Sequence, residues 1–143
     1  MCESENTKLS RSEAREQAFM LLFSKSVDDD PLEATAEDNA EMFRGGICGY
    51  AYSTVSAIEE KREEIDEKIS RFLKKGWTLS RISRPSLAIL RLAFFEIDYV
   101  DSVPEKVSVN EAVELAKKYT IDESGFINGI LGSYLRSRTE ESK

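Results

Sequence analysis

The stretch Ser86–Val100, SLAILRLAFFEIDYV, decides the fold. Only Ser86, Arg91, Glu96 and Asp98 in it are polar. It is too short and too polar for a membrane span, which needs about twenty apolar residues. It is too long for an ordinary strand, which leaves a helix buried on most sides. Ser83 and Pro85 fit the start of that helix, because proline's missing N–H costs nothing in a first turn. Pro104 lies beyond Val100 and helps to end it. The other segments are expected to wrap this rod. Arg91 needs an acid if it is buried, since an unpaired buried charge is costly. Glu96, Glu111 and Glu114 are the candidates, in a structural ion pair.

Working outward, helix-period patterns fill most of the 143 residues, and glycine and proline are few. Together with 41 % hydrophobic and 33 % charged residues, this predicts one all-α globular domain. Residues 1–9 are expected to be a disordered tail, and 137–143 a frayed one. Ser10 and Glu13 form a capping box opening a helix to about Ser26. VDDDP at 27–31 is a loop, and residues 32–43 can form a short helix. Gly45, Gly46 and Gly49 mark a helix break or a close helix crossing. A long amphipathic helix is predicted from Tyr50 to Lys75, with Val55, Ile58, Ile65, Ile69 and Phe72 on its seam. Gly76 caps its end, and Trp77 plugs the junction that follows. Ser108 and Glu111 form a second capping box, before an apolar face of Val109, Ala112, Val113, Ala116 and Tyr119. Asp122 or Ser124 caps the last helix.

The inventory of reactive residues points to binding. The chain has no histidine, which removes imidazole catalysis and histidine-ligated metals, and no glycine-rich phosphate loop. Cys2 and Cys48 are too few for a four-thiolate zinc site, and no structural disulfide is expected. The polar N-terminus carries no signal peptide, so the expected location is cytoplasmic, with no membrane contact and no cofactor.

A net charge of −7 argues against nucleic acid, but its distribution does not. Residues 28–67 carry thirteen acidic and three basic side chains. Residues 68–95 carry Lys68, Arg71, Lys74, Lys75, Arg81, Arg84 and Arg91 and no acid. That patch either pairs with the acidic segment before it or faces an anion. Lys8, Arg11 and Arg15 share one edge at the first helix start, where cations oppose the helix dipole. They are candidates for an anionic partner, against the plainer reading of solvated or paired charges.

Several runs are specific together. They are AREQAFMLLF (Ala14–Phe23), Trp77 with Arg81, ILRLAFFE (Ile89–Glu96), Val103-Pro104, VSVNEAVELAKKY (Val107–Tyr119) and FINGIL (Phe126–Leu131). In this order and spacing they resemble the NusB family of transcription antitermination factors. The resemblance covers about residues 8–135. It implies an all-helical fold of two packed three-helix bundles, here about 10–76 and 77–136. It also implies an adaptor that, with the small-subunit ribosomal protein NusE, binds single-stranded boxA RNA. Such adaptors serve the RNA polymerase antitermination complex on ribosomal RNA operons. RNA contacts would come from Lys8, Arg11, Arg15, Asp122, Ser124, Phe126 and Asn128, and NusE contacts from Phe23 and Ser86. Family members often carry a denser N-terminal Arg/Lys cluster, and a lysine just before the phenylalanine that this chain lacks. A protein-only helical adaptor, or a homodimer with weak RNA binding, is the alternative. A NusB-like domain also precedes the catalytic domain of some RNA methyltransferases, but in a sequence of 143 residues no such catalytic domain, and no enzyme activity, is expected.

Overall fold

The computed structural model describes residues 10–27 and 47–141. Among them the chain is all-helical. Its helices are α1 (Arg11–Val27), α2 (Gly49–Glu60), α3 (Arg62–Ser70), α4 (Arg84–Tyr99), α5 (Glu105–Tyr119) and α6 (Ser124–Glu141). A 3-10 turn at Leu79–Arg81 precedes α4. Among the described residues no helix is long and apolar enough to cross a membrane. The expected tail 1–9 with Lys8, the loop after Val27, the short helix over 32–43, Gly45 and Gly46 lie outside the described residues.

The described residues fall into two compact units divided between Glu60 and Lys61. In the first, the expected capping box opens α1. Ser10 N–H donates to Glu13 Oε1 at 3.0 Å, and Glu13 N–H donates to Ser10 Oγ at 3.1 Å. Ala14, Ala18, Phe19, Leu21 and Leu22 of α1 are buried, as are Ala51, Val55 and Ile58 of α2, which packs on it. Cys48 N–H donates to the buried Gln17 Oε1 at 2.8 Å, satisfying both groups. The expectation about disulfides is corrected here, because Cys48 is disulfide-bonded.

The long helix predicted from Tyr50 to Lys75 is interrupted. Lys61, at φ −104° and ψ 12°, lies outside helical geometry between α2 and α3. Glu59, Glu60, Glu63, Glu64 and Glu67 stack like charges four apart across that point, which weakens a continuous helix. The division into units falls at the same place, between Glu60 and Lys61. Gly76 does not cap the helix, which has ended at Ser70. Gly76 takes φ +91° in a later turn closed by Trp77 N–H on Lys74 O at 2.9 Å.

In the second unit α4 is the central rod, packed against α3, α5 and α6. Ten of its residues are buried, Ser86 and Glu96 among them. Ser83 caps it, accepting from Ser86 N–H at 3.3 Å. Arg91 donates through Nε and Nη2 to Asp66 at 2.8 and 2.9 Å. The ion pair is the expected kind, but its acid is Asp66 of α3. Glu96 is engaged on another face, where Ser108 Oγ donates to its Oε1 at 3.1 Å. Ser108 is therefore no cap. Helix α5 begins at Glu105, directly after Pro104, and turns Ser108, Ala112, Leu115 and Ala116 inward. The predicted Val109, Val113 and Tyr119 are only half-buried.

Helix α6 continues to Glu141, past the fraying predicted after Arg136. Its Arg138 pairs with Glu105 and lies 3.8 Å from Asp98. Asp98 also accepts from Tyr134 OH at 2.5 Å and Lys68 Nζ at 2.8 Å. Burial works to lower the Lys68 pKa, but the Asp98 bond and charge, helped by Glu64, raise it overall. Tyr134 stacks on Phe94 at 4.3 Å, which ties α6 to the rod.

Candidate nucleic-acid interface

The start of α6 gathers four of the residues expected at an RNA site. The turn from α5 passes through Ile121, 87 % exposed, and Asp122, whose φ of 58° is left-handed. Aspartate tolerates that region better than most side chains. Among the described residues neither the Asp122 nor the Ser124 side chain caps the helix as predicted. Glu123 sits between them, and Ile127 N–H donates to its carbonyl at 3.1 Å as the helix begins. Asp122, Phe126 and Asn128 are exposed, and Ser124 is half-buried.

Two grooves flank this helix start. One, of about 550 Å³, is lined by Phe72, Lys74, Trp77, Phe126, Ile130 and Ser133, with Gly125 and Gly129 on its floor. The other, of about 460 Å³, includes Ser124, Gly125, Asn128, Asn110 and Lys117. The first is aromatic with one cation, and the second is polar. A methyl group added at Gly125 or Gly129 would meet nothing within 4 Å. Packing within the chain therefore does not demand glycine at either position, and the helix backbone lies bare toward solvent.

Trp77 is 46 % exposed and Phe126 37 % exposed, their ring centroids 6.3 Å apart. Trp77 is thus not the buried plug expected from sequence. The turn at Gly76 and the short 3-10 segment after it hold the ring at the surface. Exposed aromatic faces beside a cation are what unstacked bases require. In the sequence Trp77 stands out beside Arg81 among the runs that carry the family resemblance, but nothing in its spacing signals that the ring is exposed.

The carboxylate of Glu123 fastens this corner. Ser83 Oγ donates to its Oε1 at 2.9 Å, and Ser86 Oγ donates to the same oxygen at 2.8 Å. Ser86 is 0 % exposed. Its expected part in partner contact is corrected accordingly, because the hydroxyl is enclosed beneath Glu123. Sequence reasoning missed Glu123, an acidic residue between two better cap formers.

In the first unit, Arg11 is exposed on the first turn of α1. Arg15 is 4 % exposed, so the shared solvent edge predicted for these cations does not extend to it. Lys8 lies outside the described residues. Phe23 is half-buried and stacks against Phe19 at 6.2 Å.

Comparison with known proteins identifies the fold. A model of the NusB family matches residues 12–136. The transcription antitermination protein NusB of Limosilactobacillus reuteri (strain DSM 20016) is 38 % identical over 136 residues, covering 94 % of this chain and 99 % of that protein. Among solved structures, NusB of T. maritima matches with a TM-score of 0.79 and 35 % identity, over 89 % of this chain and 91 % of that one. A crystal structure of antitermination factors NusB and NusE in complex with dsRNA matches in fold, with a TM-score of 0.76 at 24 % identity. It covers 89 % of this chain and 96 % of that one.

Proposed function

Because the chain belongs to the NusB family, we propose that it is a transcription antitermination factor that binds boxA-type single-stranded RNA together with NusE. In this reading it works in the cytoplasm, in the antitermination complex of RNA polymerase on ribosomal RNA operons. The observation that carries the reading is the pair of exposed rings, Trp77 and Phe126, beside Lys74 at the bare start of α6. Bases stack on such rings with little regard to sequence, and cations hold the phosphates. Asp122, Ser124 and Asn128 add polar groups that read base edges.

Arg11 contributes a phosphate contact from the first unit, with Lys8 near it in sequence. Arg15, being buried, supports the helix from within. NusE docks along α1 at Phe23. The protein's net charge of −7 makes it a poor RNA ligand alone, so a basic partner supplies much of the affinity. The role is one of binding. A chain without histidine offers no imidazole for acid–base work.

The test is RNA binding by the protein with and without NusE, against boxA and a scrambled sequence of equal length. Tight, boxA-selective binding only with NusE is expected. Intact NusE binding without any RNA preference would instead identify a protein-only helical adaptor.

A further inference from the structure

We propose that the segment Lys74–Arg84 is a second phosphate-binding track, which carries single-stranded RNA onward from the stacking rings at the start of α6. This rests on the RNA-binding reading above and extends it to residues outside the expected contact set.

The argument begins with charge. Residues 68–95 hold seven cations and no acid. The fold sorts these seven into two groups. Lys68 is bound to Asp98, Arg71 to Glu67 and Arg91 to Asp66. Lys74, Lys75, Arg81 and Arg84 are exposed, and among the described residues none of them has a carboxylate within ion-pair distance. The acidic segment before them does not neutralise them. Four like charges left together in an acidic protein create a local positive field that attracts an anion.

Geometry places that field at the interface. Trp77 lies against Phe126 at one end of the segment. At the other end Ser83 and Ser86 are both bound to Glu123, one residue before α6. Between these two anchors the backbone is closed by Arg81 N–H on Thr78 O at 3.0 Å and Ile82 N–H on Leu79 O at 3.1 Å. Ile82 is buried at 7 % exposure and fixes the later part of the segment to the core. Arg81 therefore projects from an ordered strip beside the start of α6, with Lys74 and Lys75 just before its Trp77 anchor and Arg84 directly after Ser83, and Lys74 already lines the aromatic groove. A cationic strip continuous with exposed rings suits a phosphodiester backbone whose bases stack beside it. An acidic protein surface would need the cations but would not need the rings or the bare glycine floor.

The experiment uses the full chain with NusE and a boxA RNA extended by uridines at both ends. The quadruple variant K74Q/K75Q/R81Q/R84Q is compared with a control of equal charge, K61Q/R71Q/K106Q/R136Q. At about 0.7 units of salt slope per single-strand phosphate contact, four contacts make wild-type affinity fall about 50-fold more steeply than the variant's between roughly 50 and 200 mM salt. The control should keep the wild-type slope, and both variants should keep the wild-type melting temperature within a few degrees. An unchanged slope in the quadruple variant, with boxA selectivity intact in the wild type, overturns the track alone. No boxA selectivity in the wild type overturns the RNA-binding reading itself. Weaker NusE binding by the quadruple variant, with the RNA slope unchanged, would assign the strip to a protein partner and also overturn the track.

Discussion

Replacing Gly129 with alanine should make the protein more stable and a worse RNA binder. Gly129 lies inside α6, where glycine costs about 1 kcal/mol relative to alanine through lost backbone entropy. Its φ is not left-handed, and a methyl group there meets nothing within 4 Å. No steric penalty offsets the gain, so the variant should be stabilised by about 0.5–1 kcal/mol, or roughly 2–4 °C in melting temperature. The same methyl rises from the floor of the groove beside Phe126, where a base would approach the backbone. Holding that base off its platform should cost about 1 kcal/mol, roughly a fivefold loss of affinity. Thermal unfolding followed by circular dichroism and fluorescence anisotropy with NusE and boxA RNA, on the same preparations, measure the two effects. A more stable variant with unchanged affinity would refute the groove as a contact surface. A less stable variant would refute the account of the helix.

Three further outcomes are expected. Trp77→Ala and Phe126→Ala should each weaken RNA binding by about 1–3 kcal/mol while shifting unfolding little, since both rings are already partly solvated; equilibrium titration and thermal melts separate the two. Glu123→Ala strands the buried Ser86 hydroxyl and frees Ser83, so a loss of about 2–4 kcal/mol in urea unfolding is expected, with Glu123→Gln milder because one acceptor oxygen remains. Stability should also decline in alkali. Lys68 is raised against an opposing desolvation, and Tyr99 is raised by its hydrogen bond to Glu64 and by burial. Both groups hold their protons more tightly when folded, so their contribution is complete below the ordinary values of 10.5 and 10.0 and is lost as pH rises through the folded ones. Unfolding midpoints measured between about pH 9 and 11 should fall less steeply in Lys68→Met than in the wild type; equal slopes would contradict the linkage.

What the sequence revealed, and what it hid, follow from the range of the interactions involved. The rod Ser86–Val100 and the Ser10–Glu13 box were legible because each depends on spacing along one helix. The partner of Arg91 was not legible, because which acid reaches a buried guanidinium depends on how α3 lies against α4. Ser108 shows the same limit. A serine three residues before a glutamate reads as a cap, yet here its hydroxyl satisfies a carboxylate twelve residues back. At the candidate interface, Phe126 and Asn128 were picked out only through the family resemblance, and both are exposed although helical spacing alone would turn Phe126 toward the core. The exposure of Trp77 and the enclosure of Ser86 depend on a turn and a tertiary carboxylate that leave no periodic trace.

The packing of the second unit also bears on how it folds. Helices α3, α4, α5 and α6 each rest on their neighbours in the chain, through connections as short as Val100–Pro104 and Thr120–Glu123. Most contacts therefore close small loops, which cost little entropy, so the unit should collapse on a timescale of roughly microseconds to milliseconds. The Phe94–Tyr134 stack, like the Ser83–Glu123 and Trp77–Phe126 contacts, joins residues far apart in sequence. It is the natural late event. Truncating Tyr134 should then speed unfolding far more than it slows folding, and α6 would be the last helix to settle on the rod during synthesis.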